Sequence, residues 1–244
     1  RRLNAPFFTF HTRRRPYVTL KWAESADHFL DLPRPEPPCG LPADQAARIS
    51  TPLTQLLVHR LRAENQAILV GRRTALLDNP SLTTRLWPGE SPLRCVLMPS
   101  GPLPGEVQLA DGSVPTLFFC GANEEKCHNF LEKAAALSAE SGSTFCPPEL
   151  VKLDEGCPLL PQVMEELHRR GVQSLLVEGG STTLQGFLDA GLWDEIYIER
   201  APMLLRHGVP APVLPAPSAE APYRTEESSP FGRTRLHHIR TDAL

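Results

Sequence analysis

Several short apolar runs set the limits on what this chain can fold into. AILVG (67–71), RCVLM (94–98), TLFFC (116–120) and SLLVEGG (174–180) are each too short for a helix and apolar without alternation. Strands of this kind are covered on both faces. Between and around them lie stretches with helical spacing. Thr51-Pro52 reads as an N-cap followed by proline at the first helical position, with Leu53, Leu56, Leu57, Arg60 and Leu61 continuing to about Ala63. Further helices are expected over 123–140, 159–171 and 181–191, the last two closing on glycine. YVTLKWA (17–23) and DEIYIER (194–200) add strands, and GRTRLHHIRT (232–241) reads as a final edge strand. Residues 31–42 read as a loop, and the basic residues 1–15 as an irregular linker. The expectation is an α/β fold: one domain with a mainly parallel central sheet and helices on both faces.

In such sheets, ligands sit beyond the carboxyl ends of the strands. Two strands here end in polar turns that open helices. One reads Val70-Gly71-Arg72-Arg73-Thr74, the other Val177-Glu178-Gly179-Gly180-Ser181-Thr182. Positive charge at a helix N-terminus opposes the macrodipole, and an anion there relieves the conflict. Arg72, Arg73 and Thr74 supply donors suited to phosphate oxygens. Gly179-Gly180 permits close approach of a pyrophosphate, and Glu178 can accept from the N–H groups of a heterocycle. The competing readings are solvated arginines and a simple tight turn.

The formal net charge of −3 gives no reason to expect a nucleic-acid partner, so the arginines are a local feature. No apolar run approaches the ~18 residues of a membrane span. None of the six cysteines forms a CxxC pair, so no metal site is expected, and reduced thiols point to the cytoplasm. The chain opens on RRLNAPFF with no signal peptide and reads as a fragment.

RPYVTLKWAES, LRAENQAILVGRRTALLDNPSLTTR and LLVEGGSTTLQGFLDAGLWDEIYI, in this order, closely resemble the reductase domain of the bifunctional riboflavin-biosynthesis deaminase/reductases. The resemblance implies a dihydrofolate-reductase-like fold over 16–244. It makes 1–15 the linker from an upstream deaminase domain, whose His-x-Glu and Pro-Cys-x-x-Cys signatures are absent here. It implies NADPH as cofactor, a phosphorylated pyrimidine as substrate and a homodimer. The reaction implied is reduction of the ribosyl group of 5-amino-6-(5-phosphoribosylamino)uracil to ribitylamino.

Carried over by position, the resemblance assigns Gly71, Arg72, Arg73, Thr74, Asp78, Gly179, Gly180, Ser181, Thr182, Thr183 and Leu184 to the cofactor. It assigns Arg62, Leu82, Arg85 and Glu178 to the substrate, and makes Lys21, Asp78 and Glu178 the catalytic candidates. Arg72 is the expected reader of the cofactor's 2′-phosphate, with Arg73 nearer the pyrophosphate. Three positions depart from the family pattern: His28 stands where it has glycine, Arg48 where it has tryptophan, and Met98-Pro99-Ser100 where aspartate follows the strand. Two other readings stay open: a non-catalytic nucleotide-binding module, and a reductase of the diaminopyrimidinone ribosyl phosphate.

Overall fold

The computed structural model describes residues 4–34, 46–103, 107–121, 123–139, 146–217, 222–227 and 234–241. The expected loop at 31–42 lies partly outside the described residues, as does Cys39. The apolar runs form the strands expected of them. β1 is Tyr17–Glu24, β2 Phe29–Asp31, β3 Ala67–Gly71, β4 Leu93–Met98, β5 Thr116–Cys120 and β6 Glu149–Lys152. β7 is Ser174–Gly179, β8 Glu195–Arg200, β9 Val209–Pro210, β10 Tyr223–Glu227 and β11 Arg235–Thr241. Nine of them make one sheet in the order β10-β11-β8-β1-β7-β3-β4-β5-β6. The pairs from β8 through to β6 are parallel, and only the β8–β11 and β11–β10 pairs are antiparallel.

Helices cover both faces, as expected. α1 is Ala5–Arg13, α2 Pro52–Glu64, α3 Arg72–Asp78, α4 Glu124–Ala139, α5 Leu159–Arg169 and α6 Ser181–Asp189. Val163, Met164 and Leu167 of α5, with Leu184, Phe187 and Leu188 of α6, pack on Leu20, Leu69, Leu117, Val177 and Ile196. Ala75 and Leu76 of α3, with Cys127 and Leu131 of α4, pack on Ile68, Val70, Val96 and Phe118. The in-and-out alternation of side chains along each strand divides the core into these two layers. Thr51 caps α2 through a reciprocal box with Thr54. α5 and α6 stop two residues before the expected ends, at Arg169 and Asp189, and Gly171 and Gly191 follow with φ of 79° and 62°.

Two expectations fail. The segment 1–15 is not irregular, because Ala5–Arg13 is helical. Ala5 and Thr9, one turn apart, are buried, and the Phe10 ring lies 4.4 Å from His168 of α5. The basic end of this segment is also fixed: Arg15 donates to both oxygens of the buried Asp194, Nη1 to Oδ2 at 2.5 Å and Nη2 to Oδ1 at 2.9 Å. The last strand, β11, is not at the edge, because β10 pairs along its outer side. No helix among the described residues is long and apolar enough to cross a membrane.

Candidate functional site

A cleft of about 1160 Å³ opens at the carboxyl ends of β1, β3, β4 and β7. β3 and β7 are neighbours, so the two polar turns singled out in the sequence meet there. They interlock. A side chain at Gly179 would strike Thr74, whose Cγ2 would lie 2.9 Å from the added carbon, and Thr74 Oγ1 also closes over Gly180. Thr183 Oγ1 fills the space above Gly71 in turn. Gly180 has φ of 74°, a conformation that L side chains rarely adopt, and it begins α6 without a side-chain cap. The amides of Ser181, Thr182 and Thr183 in the first turn have no intrahelical partner, and these residues line the cleft.

Glu178 lies just before this junction, where the pairing of β3 with β7 slips. Leu69 faces Val177, but the next residue, Val70, faces Gly179, so Glu178 has no partner on β3. Irregularities of this kind re-aim a side chain. The carboxylate lines the cleft and is gripped by Arg62 of α2. Arg62 Nε donates to Oε1 at 2.9 Å, and Nη2 donates to Oε2 at 2.6 Å. Burial pushes the Arg62 guanidinium down, but the facing Glu178 carboxylate outweighs it, so the group titrates above its ordinary value. Arg62 Nη1 also donates to the Thr83 carbonyl at 3.2 Å.

One turn earlier on α2, His59 Nδ1 accepts the backbone N–H of Arg85 at 2.9 Å. That bond requires an unprotonated Nδ1. Burial, followed by the Arg62 and Arg85 charges, lowers the histidine from its ordinary value. Leu82 packs in the core with φ of 51° and does not line the cleft. The Arg85 side chain is exposed, also lies outside the cleft lining, and among the described residues bonds to Ser81 and Thr83.

The remaining candidates are placed as follows. Lys21 lines the cleft with Nζ 3.7 Å from Glu199. Arg72 lines it while donating from Nε and Nη2 to the carbonyls of Gly101 and Pro102 at 3.2–3.3 Å. Arg73 donates to the Arg34 carbonyl at 2.8 Å. Leu184 also lines the cleft and is buried. Asp78, at the end of α3, accepts from Arg34 Nη2 at 2.6 Å. Among the described residues, no group of three or more His, Cys, Asp or Glu side chains could hold a metal ion.

Two charged cleft residues were missed in the sequence reading, Asp31 and Arg34. They lie in a proline-rich stretch with no periodicity that would mark them. Asp31 accepts from the backbone N–H groups of Leu32 and Ala47 and pairs with Arg34 at 2.5 Å.

A riboflavin biosynthesis protein RibD from Aquifex aeolicus is 30% identical over 211 residues, covering 86% of this chain and 52% of that protein. The chain thus spans about half the length of such relatives. A 2,5-diamino-6-ribosylamino-4(3H)-pyrimidinone 5′-phosphate reductase of the same organism is 31% identical, covering 78% of this chain and 79% of that one. The fold matches a Thermotoga maritima diaminohydroxyphosphoribosylaminopyrimidine deaminase/5-amino-6-(5-phosphoribosylamino)uracil reductase with a TM-score of 0.71 at 23% identity, over 97% of this chain and 59% of that one. The match to the RibD C-terminal domain covers residues 16–219, and with these relatives it establishes that the chain belongs to that reductase-domain family.

Proposed function

We propose that this chain carries the NADPH-dependent pyrimidine reductase step of riboflavin biosynthesis, reducing the ribosyl group of 5-amino-6-(5-phosphoribosylamino)uracil to a ribitylamino group. The observation that carries the reading is the meeting of the two glycine turns beside the Arg62–Glu178 pair, in one cleft of a chain from this family.

The residues present fit a dinucleotide. The free amides at the start of α6 and the donors of Arg72 and Thr74 suit its phosphates. Leu97, Leu159 and Leu160 give an apolar wall. When bound, NADPH supplies the reducing equivalent to C1′ of the opened sugar.

The chain's own residues bind and orient. Glu178, held by both oxygens, accepts N–H donors of the pyrimidine. Lys21 Nζ donates to a sugar oxygen as the ring opens to the imine. Asp78 serves the cofactor side of the cleft. Arg85, exposed and bonded among the described residues to Ser81 and Thr83, lies outside the cleft lining and has donors for a substrate phosphate that extends past the cleft's rim. The homodimer and the upstream deaminase partner belong to the same proposal.

A second reading has a specific observation behind it: the diaminopyrimidinone reductase of Aquifex aeolicus matches at 31%, beside 30% for RibD. Following NADPH oxidation with each substrate separates them. Turnover of the uracil alone supports the first reading, and turnover of the diaminopyrimidinone alone supports the second. NADPH binding with no turnover of either makes the chain a binding module.

A further inference from the structure

We propose that Arg34 is a positioning residue that seats one wall of the cleft against the other and thereby sets how tightly the cleft holds its cofactor. This rests on the reading of the cleft as an NADPH site. Arg34 lies outside every motif that carries the family resemblance. Its guanidinium reaches Asp31 Oδ2 at 2.5 Å on its own segment and Asp78 Oδ1 at 2.6 Å on α3. The Arg34 side chain is only 8% exposed, so the pair to Asp78 is sheltered on the arginine side. A second bond joins the same two elements, from Arg73 Nη2 of α3 to the Arg34 carbonyl at 2.8 Å. The segment and α3 both line the cleft, so these bonds tie its two walls together.

The segment that carries Arg34 forms part of a small flap. β2 pairs with β9, and the Ala211 N–H donates to the His28 carbonyl at 2.8 Å. Asp27 holds the N–H groups of Leu205 and Arg206 at 3.1 and 2.7 Å. The flap is therefore internally braced, and described bonds to α3 run through Arg34. Removing that cation takes away the guanidinium that bridges the Asp31 and Asp78 carboxylates, and repulsion between them then loosens the flap against α3. Asp78 also loses the partner that fixes its carboxylate. Both carboxylates are reached by the one nitrogen Nη2, so lysine restores the charge but carries it as a mobile point donor in place of the rigid guanidinium.

The test uses the intact chain as parent, Arg34→Ala and Arg34→Lys. Hydrogen exchange is read at the flap amides of residues 28–32, 34, 209 and 211, with the amides of β3, β4 and β5 as internal reference. NADPH affinity is measured by titration. The expectation for Arg34→Ala is faster exchange at the flap, unchanged exchange in the reference strands, and NADPH binding weaker by about tenfold or more. Arg34→Lys falls between alanine and parent. Should Arg34→Ala not fold, the Arg34→Lys chain alone decides, by flap exchange and affinity against the parent. If the parent binds NADPH and neither variant moves affinity beyond twofold, the proposal is overturned. If the parent binds no NADPH, the cofactor reading fails and flap exchange decides the rest: faster exchange upholds the tie between the walls, and unchanged exchange overturns it.

Discussion

Arg62 and Glu178 stand 116 positions apart in the chain and meet through two parallel N–H···O bonds, with both side chains about nine-tenths buried. Such a fork is strong because both oxygens are satisfied at fixed geometry. Taking away one partner leaves the other charge buried alone. Arg62→Ala is expected to lower unfolding stability by about 3–5 kcal/mol. Arg62→Lys recovers only part, since an ammonium cannot reproduce the fork. Urea unfolding of both variants checks this, and equal stability of lysine variant and parent would show that charge alone suffices.

Thr74 and Gly179 supply a second test. An added carbon at Gly179 meets Thr74 Cγ2 at 2.9 Å and Val70 Cγ1 at 3.2 Å. Gly179→Ala should cost about 1–3 kcal/mol by overpacking. Thr74→Ser removes the nearest methyl, so the double variant should recover part of the loss. A thermodynamic cycle over the four chains measures the coupling. Strict additivity would mean that the two turns do not touch in solution.

Arg72 is expected to favour NADPH over NADH. Its Nε and Nη2 are engaged with Gly101 and Pro102, which aims the guanidinium, and among the described residues Nη1 has no bond, so it can meet an oxyanion. The 2′-phosphate is remote from the reacting carbon, so the contact is equal in ground and transition states. Arg72→Ala should raise KM for NADPH by about 1.5–3 kcal/mol of binding and leave kcat nearly unchanged. Steady-state kinetics with both cofactors, run beside Arg73→Ala, would show an unaltered NADPH/NADH ratio if this turn does not read the phosphate.

Acid stability should report on Asp27. The Ser25 hydroxyl is the largest influence and, with the Leu205 and Arg206 amides, outweighs the opposing effect of burial, holding the carboxyl down at about 2 from an ordinary 3.8. A depressed carboxyl stabilises the fold above the ordinary value, and that contribution fades as pH falls from 3.8 towards 2. Asp27→Asn should therefore flatten the stability profile over that window and leave its shape near neutrality unchanged. Denaturation midpoints at a series of acid pH values give the comparison.

The parts of this molecule legible in the sequence are those set by local pattern. β3, β4, β5 and β7 are continuous apolar runs, and their place between helices follows from that. The two glycine turns were legible because a strand end, a glycine and a cluster of donors are adjacent in the chain. α1, APFFTFHTR, was hidden by the arginines that flank it, and its two buried residues, Ala5 and Thr9, make no apolar stripe. β2 and β9 are too short to carry a pattern, and each exists through the other across about 180 residues. β10, YRTEE, has no apolar alternation and is held by its pairing with β11. Arg34 and Asp78 show the same limit in the site: no spacing rule links partners 44 positions apart when one lies in a proline-rich stretch.

The slip between β3 and β7 behaves like a dislocation in a crystal lattice. A sheet cannot relax one extra residue away locally, so the defect persists wherever the flanking pairs Leu69–Val177 and Val70–Gly179 are kept. Its position is thereby pinned by apolar packing on either side and does not depend on the carboxylate it presents. Residue 178 can then be exchanged for other side chains while the opening in the lattice stays where it is, so long as Arg62, which would otherwise be left buried and unpaired, is exchanged with it. Chemistry at this point of the fold can change by substitution at two facing positions, with the sheet's register intact.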